Sequence, residues 1–511
     1  MSVSHAEDIL PSRIKDISEF NNIKASRPQD LGQVGQGPGG PRDGGWDAWS
    51  TVVGCFMVQF CTIGYSNAFG VYQDIYTRDI LSDKSPSDIS WIGSFQIFSS
   101  YAPGILVGYA FDAGYFRHMI AIGSILEIFS IFMLSLVRKG QYYQIFLAQA
   151  VGIGLGQALL FIPSLTVISQ HFKQRRSFAT GIAVTGASIG GIIWPILLNQ
   201  LDQKASFANA NRAAGAVTGA LLLFANVLMK PRPVANRGGV HFGVKGVFQD
   251  IPFIISIGAA CLVALGLFFP YFYLQLYAIN HDITPSLAFY ALALLNTGSV
   301  VGRLIPNFFA DRLGPFNMII PCLSATAVLL FAMIAVSSWA GIIVFSVFYG
   351  FASGSYISLI PSIIGLLSRQ SGQPGLRMGF AFTSVGFWML IGAPIEGALL
   401  HPPGTSGSLV WLPCILFSAV SVACGAFGML VSRVIFVREG RNGDCAQRSA
   451  KIPKKPEVGL VDLRWARQSH PSKPFRGDGP LPRRPPLPRW DLHDPDVYLE
   501  GKQYKLRPPR V

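Results

Sequence analysis

Twelve long apolar runs, six on either side of a polar connection, limit what this chain can fold into more than any other feature. A hydrocarbon core about 30 Å thick needs about 20 apolar residues of helix, and within it every backbone polar group must be satisfied inside the protein. The first six runs are approximately Trp49–Val71, Ile89–Phe111, His118–Val137, Tyr143–Ser169, Phe178–Leu198 and Ala213–Met229. The second six are Ile251–Leu276, Leu287–Ala310, Phe316–Val336, Gly341–Leu367, Met378–Leu399 and Leu409–Phe436. Composition agrees: 50% of the 511 residues are hydrophobic and 13% are charged, about half the charge of a soluble domain. That excludes a disordered chain, a collagen-like fibre and a small disulfide scaffold. An all-α membrane protein with twelve transmembrane helices is expected.

The connection Lys230–Asp250 is the longest internal one and marks the middle. The expected organisation is a disordered cytosolic tail over 1–46, a six-helix bundle over 47–229 and a cytosolic loop over 230–250. A second six-helix bundle over 251–437 and a basic, Pro-rich disordered tail over 438–511 follow. Met1 to Arg42 is polar and ends Gly/Pro-rich, unlike a signal peptide. The tail's Pro480–Pro488 stretch favours polyproline II and offers an SH3 or WW ligand as the alternative to plain disorder.

The formal net charge is +14. A net +9 falls from Arg433 onward, so the excess sits in a tail and in connections, where it sets membrane topology; no nucleic-acid partner is expected. With a cytosolic N-terminus, the inner connections hold eleven basic residues: Arg117, Lys173, Arg175, Arg176, Lys230, Arg232, Arg237, Lys245, Arg312, Arg369 and Arg377. The outer ones hold six. Both termini are therefore expected in the cytosol. Six of the seven cysteines lie in apolar runs and Cys445 in the tail, none at metal-ligand spacing, so they read as packed free thiols.

The halves repeat. An offset of 198 maps Gly152, Gly156, Pro163-Ser164 and Gly181 onto Gly350, Gly354, Pro361-Ser362 and Gly379. An offset of 199 maps Asp112 onto Asp311 and Pro195 onto Pro394. Six helices duplicated in the same orientation is a parallel-repeat transporter plan.

The connection after the second run reads Gly108-Tyr-Ala-Phe-Asp112-Ala-Gly114-Tyr-Phe-Arg117. It resembles the cytosolic signature of the major facilitator superfamily, and Asn307-Phe-Phe-Ala-Asp311-Arg312-Leu-Gly314 is a degraded copy. The resemblance implies the major facilitator fold and alternating access. Asp112, Arg117, Arg175, Arg176, Asp311 and Arg312 would form a charged lock that breaks as two bundles rock. Two further segments resemble the monocarboxylate-transporter-like family, with a spacing like that of fungal members. They are His171-Phe-Lys-Gln-Arg175-Arg176-Ser-Phe-Ala-Thr-Gly181 and Asp43-Gly-Gly-Trp46-Asp-Ala-Trp49. The chain departs from the animal lactate carriers at Gly70, where they carry Lys, and at Ser299, where they carry Asp. Proton-coupled lactate transport therefore does not carry over intact.

Charges inside hydrocarbon are costly and usually functional; Glu127, Arg303 and Glu396 are the three well inside the runs. Arg303 lies eight residues before Asp311, about 12 Å from that helix end. Asn296, Ser299 and Arg303 share one helix face. They offer an amide, a hydroxyl and a planar cation to an anionic substrate; the competing reading is an Arg that only ties down backbone carbonyls. Asn67 and Tyr65 on the first helix and Tyr356 on the tenth complete the candidate substrate-binding set. Glu127 and Glu396 are candidate proton-coupling carboxyls, with structural hydrogen bonding as their alternative.

No nucleotide loop or metal-ligand cluster occurs, and Gly152-Ile-Gly154-Leu-Gly156 is a membrane glycine pattern; neither enzyme nor cofactor is expected. The expected function is secondary active or facilitative transport of a small organic solute, a monocarboxylate or similar anion. The alternatives are export of a larger or uncharged metabolite, and a non-transporting receptor on the same scaffold. Expected partners are the substrate, protons as a coupling ion and the bilayer, with a monomer as working unit. The plasma membrane is the expected location, a vacuolar or other internal membrane the alternative.

Overall fold

The computed structural model describes residues 43–232, 245–368, 373–400, 409–451, 496–499 and 502–505. The N-terminal tail, most of the central connection with Arg237, Arg369 and the Pro480–Pro488 stretch lie outside them. Eleven of the described helices are long and apolar enough to cross a membrane. They are Trp46–Ile80, Phe116–Leu134, Tyr142–His171, Arg176–Lys204, Phe207–Leu228, Ile251–Asn280, Pro285–Leu313, Pro315–Met333, Trp339–Leu367, Pro374–Leu400 and Trp411–Glu439. The remaining expected helix, second in order, is present as two pieces, Pro86–Tyr101 and Gly104–Asp112. Pro103 splits it, since its ring offers no N–H and clashes with the preceding turn. Spans are numbered 1 to 12 below in chain order.

Span 1 runs nine residues past the expected end at Val71. Tyr72, Ile75, Tyr76 and Ile80 stay buried on one face, a helical spacing that carries the amphipathic pattern beyond the apolar run. The last helix likewise continues to Lys451, into the segment expected to be disordered. A further departure from an all-helical chain is an antiparallel strand pair, Asp496–Leu499 with Lys502–Lys505, in a separate unit over Ala446–Val511. Val497 pairs with Tyr504 and Tyr498 with Gln503 there, and Val and Tyr suit strands.

The spans meet through small residues. Gly298, Gly302, Gly350 and Gly354 line the contact of spans 8 and 10, where a Cβ on Gly354 would sit 2.9 Å from the Ser299 Cα. Close backbone approach of this kind is how helices gain packing contacts when lipid offers no hydrophobic drive between them.

Candidate substrate site and the seams around it

Two seams join spans 1–6 to spans 7–12: span 2 crosses span 11, and span 5 crosses span 8. In the first, Gly104 and Gly108 face Gly379 and Gly375. A Cβ on Gly104 would lie 2.8 Å from the Gly379 carbonyl, and one on Gly108 would run into the Gly375 carbonyl. Below these glycines the Asp112 carboxylate accepts hydrogen bonds from the Gly375 and Leu376 N–H groups at 2.9 and 2.7 Å. Those are orphan donors in the first turn of span 11, at the positive end of its dipole. The second seam repeats the device. Asp311 accepts from the Ser177 and Phe178 N–H groups at 2.8 and 3.0 Å, in the first turn of span 5.

These contacts explain the degraded signature copy. Asn307 stands where Gly108 stands in the first half, and Gly181 opposite provides the room: a Cβ there would lie 2.9 Å from the Asn307 Cβ. They also correct the charged lock expected from sequence, because each aspartate accepts from backbone amides of the opposite half. Arg117 and Arg175 are exposed. Arg312 lies 5.0 Å over the Phe308 ring. Arg176 is buried and crosses to span 10, filling the space above Gly365.

The quoted family-like segments meet at this same basic end. The Asp43 carboxylate accepts from the Lys173 and Gln174 N–H groups, the latter at 2.7 Å. The Trp49 and Phe172 rings meet edge-on at 5.1 Å. Gly44 and Gly45 adopt φ of 132° and 103°, a conformation that favours glycine, so the Asp-Gly-Gly-Trp start turns the chain to place both contacts.

Midway along the second seam lies the expected polar face. Asn296, Ser299 and Arg303 are all buried. Ser188 of span 5 donates to the Ser299 hydroxyl at 3.0 Å. Asn67 and Asn296 converge on Gly191, where a Cβ would be 2.8 Å from the Asn67 Nδ2 and 2.9 Å from the Asn296 Oδ1. The Arg303 guanidinium donates to the Val184 carbonyl, and its Nε has no hydrogen-bond partner. Among the described residues it has no carboxylate partner. The Asn296 Oδ1 is likewise unpartnered.

Two of the expected substrate residues lie elsewhere. Tyr65 hydrogen-bonds the Tyr72 hydroxyl at 2.5 Å and packs edge-on against Trp194; Tyr72 in turn donates to Asn211. Tyr356 is buried in span 10, and no hydrogen bond among the described residues joins it to Asn296, Ser299 or Arg303. Tyr271 of span 7 meets the Ser353 hydroxyl of span 10 at 3.3 Å. The first piece of span 2 ends at Tyr101, two residues before Pro103. The broken backbone there is met from across the seam: Ile105 N–H donates to the Thr383 hydroxyl, which donates to the Tyr101 and Ala102 carbonyls.

Both candidate carboxyls are buried. Glu127 accepts from the Gln157 amide at 3.4 Å, while its Oε2 has no partner. Gln157 also takes the Ser66 and Ser100 hydroxyls at 2.9 Å each, so spans 1 and 2 both serve this network. Glu396 accepts from the Ser418 hydroxyl at 3.1 Å. It lines a cavity of about 20 Å³ between span 2 (Ser94, Ile97) and spans 7 and 11, room for about one water.

Comparison with known proteins accords with this architecture. The Major Facilitator Superfamily profile matches residues 52–337. The agnestins efflux protein AgnL12 of Paecilomyces divaricatus is 38% identical over 385 residues, covering 75% of this chain and 86% of that protein. The aspyridones efflux protein apdF of Emericella nidulans is 38% identical over 403 residues, covering 78% and 80%. Among solved structures, the E. coli fucose:proton symporter FucP aligns with a TM-score of 0.59 at 15% identity, covering 76% of this chain and 99% of its own. With twelve spans, two seams and these relatives, the chain is a multi-pass membrane transporter and belongs to the Major Facilitator Superfamily.

Proposed function

We propose that this transporter exports an anionic secondary metabolite by alternating access, with Arg303 reading the charge. The observation that carries the anion reading is the buried Arg303 guanidinium, set between spans 5 and 8 with its Nε unpartnered and a backbone carbonyl as acceptor. A buried cation without a counter-charge is costly, and guanidinium geometry suits a carboxylate or enolate. Export is favoured over monocarboxylate uptake because relatives at 38% identity over three quarters of the chain are efflux proteins for agnestins and aspyridones. The Gly70 and Ser299 departures from lactate carriers point the same way, while the span 1 and span 5 segments still resemble fungal monocarboxylate-transporter-like proteins. In this reading both termini are cytosolic, and the two aspartate contacts hold the cytosolic end shut until the halves rock apart.

The test is affinity for an organic-acid panel that includes agnestins and aspyridones, measured on purified, folded variants. Arg303→Lys keeps the charge and loses the two-pronged geometry, so affinity falls. Arg303→Gln falls further, by about 2–5 kcal/mol as for truncating a buried charge partner. Unchanged affinity in folded Arg303→Gln removes the anion site.

A further inference from the structure

We propose that the substrate carries a hydroxyl at the end remote from its acid group, bridging the Asn67 and Asn296 amides while Arg303 takes the charge; this rests on the anion-export reading above. Spans 5 and 8 run antiparallel and meet in three rungs. The Arg303 guanidinium donates to the Val184 carbonyl, Ser188 donates to Ser299 at 3.0 Å, and Asn296 faces Gly191. The first and last rungs lie seven residues apart on both spans, on the order of 10 Å by helical rise. The middle rung is closed by its own hydrogen bond. The outer two each hold a buried polar atom with no partner, the Arg303 Nε and the Asn296 Oδ1. One face of one seam therefore offers a donor and an acceptor at a fixed spacing.

The Asn296 end gains a second group from the other half. Span 1 is interrupted at Asn67 and Ala68, between the helical pieces Ile63–Ser66 and Phe69–Ile75, and helices broken at membrane depth mark solute sites. Asn67 is partly exposed there, whereas Asn296 is fully buried. From the place a Gly191 Cβ would take, the Asn67 Nδ2 is 2.8 Å away and the Asn296 Oδ1 2.9 Å. A donor and an acceptor thus close on one point, yet the Asn296 Oδ1 accepts from neither Asn67 nor any other described residue. A hydroxyl suits this gap, because its one oxygen accepts from Nδ2 and donates to Oδ1. A group that cannot donate leaves Oδ1 buried and unsatisfied, at the full desolvation cost. Asn67 and Asn296 belong to opposite halves, so the bridge forms and breaks as the halves rock.

The experiment measures binding of 2-naphthoate, 6-hydroxy-2-naphthoate and 6-methoxy-2-naphthoate to the purified full chain by equilibrium dialysis. All three carry one carboxylate, and the 6-substituent lies at the opposite end of the fused rings. The wild type should bind the hydroxy acid at least roughly 5-fold more tightly than 2-naphthoate, as two hydrogen bonds allow. The methoxy acid accepts but cannot donate, and should bind no more tightly than 2-naphthoate. Gly191→Ala sets a methyl group against the ends of both amides, which are flexible and can swing aside, so it should fold and bring the hydroxyl preference close to one. Asn296→Ala should do the same. Equal wild-type affinity for 2-naphthoate and the hydroxy acid, a methoxy acid bound as tightly as the hydroxy acid, or a preference that survives in either folded variant overturns the hydroxyl assignment and leaves the anion site standing. Arg303→Gln should weaken all three acids together. If it binds them like the wild type, or if none binds the wild type, the anion site falls and the hydroxyl assignment with it.

Discussion

Gly108→Ala places one methyl group where the structure has no room for it. Its Cβ would meet the Gly375 carbonyl and stand 3.1 Å from the Leu376 Cα. Both are backbone atoms that no rotamer change can move, so spans 2 and 11 must separate by on the order of 1 Å to recover ordinary contact distances. Overpacking of that kind costs about 1–3 kcal/mol. The same displacement stretches the Asp112 bonds to Gly375 and Leu376, now 2.9 and 2.7 Å, beyond hydrogen-bond range, at about 1 kcal/mol each. Alanine's better helix propensity acts in both states and cancels from the comparison. The closed basic end should therefore lose about 3–5 kcal/mol relative to the open one, a shift of at least roughly 150-fold in their ratio. Spin labels at the exposed positions Tyr115 and Leu313, with Cys424 and Cys445 replaced by Ser, report this as a longer inter-label distance. Gly258→Ala, where a Cβ meets nothing within 4 Å, is the control. A wild-type distance distribution in folded Gly108→Ala, or an equal shift in the control, refutes the seam argument.

Further expectations use the same labels and a flux assay. Asp112→Asn keeps one acceptor oxygen and loses the charge that the first-turn amides of span 11 hold. It should shift the label distances toward the open basic end, since hydrogen bonds to a charged acceptor are worth about 1.5–3 kcal/mol against about 1 for a neutral one; a wild-type distance distribution in the folded variant would discard the assignment. Glu127→Gln keeps the hydrogen bond from Gln157 in reach and removes the exchangeable proton. It should leave substrate affinity within about two-fold while abolishing the response of flux to a pH gradient; a retained response assigns Glu127 to structure alone.

Much of this was legible in sequence because it is periodic or charged. Apolar runs reveal spans, and the repeat pairs Asp112 with Asp311. A helical spacing of three and four placed Asn296, Ser299 and Arg303 on one face, where the structure has them buried together. What stayed hidden depends on which spans become neighbours. The acceptor roles of Asp112 and Asp311 toward amides over a hundred residues away carry no local pattern, and arginines close in sequence were the natural partners to expect. Tyr65 shares its helix with Asn67 but turns toward Tyr72 and Trp194, a choice set by spans 5 and 6. Gly191 reads as one of several small residues in its run. Only the fold sets it against the Asn67 and Asn296 amides, and only Pro103 hinted that span 2 is broken.

Directional flux is the most direct test of the central claim that this transporter carries an organic anion outward through the Arg303 site. Inside-out membrane vesicles holding the protein are loaded from outside with labelled 2-naphthoate, and accumulation is followed against vesicles from cells lacking it. The account predicts accumulation above that background with wild-type protein and none with folded Arg303→Gln. Accumulation that survives Arg303→Gln, or wild-type flux seen only in right-side-out vesicles, contradicts it.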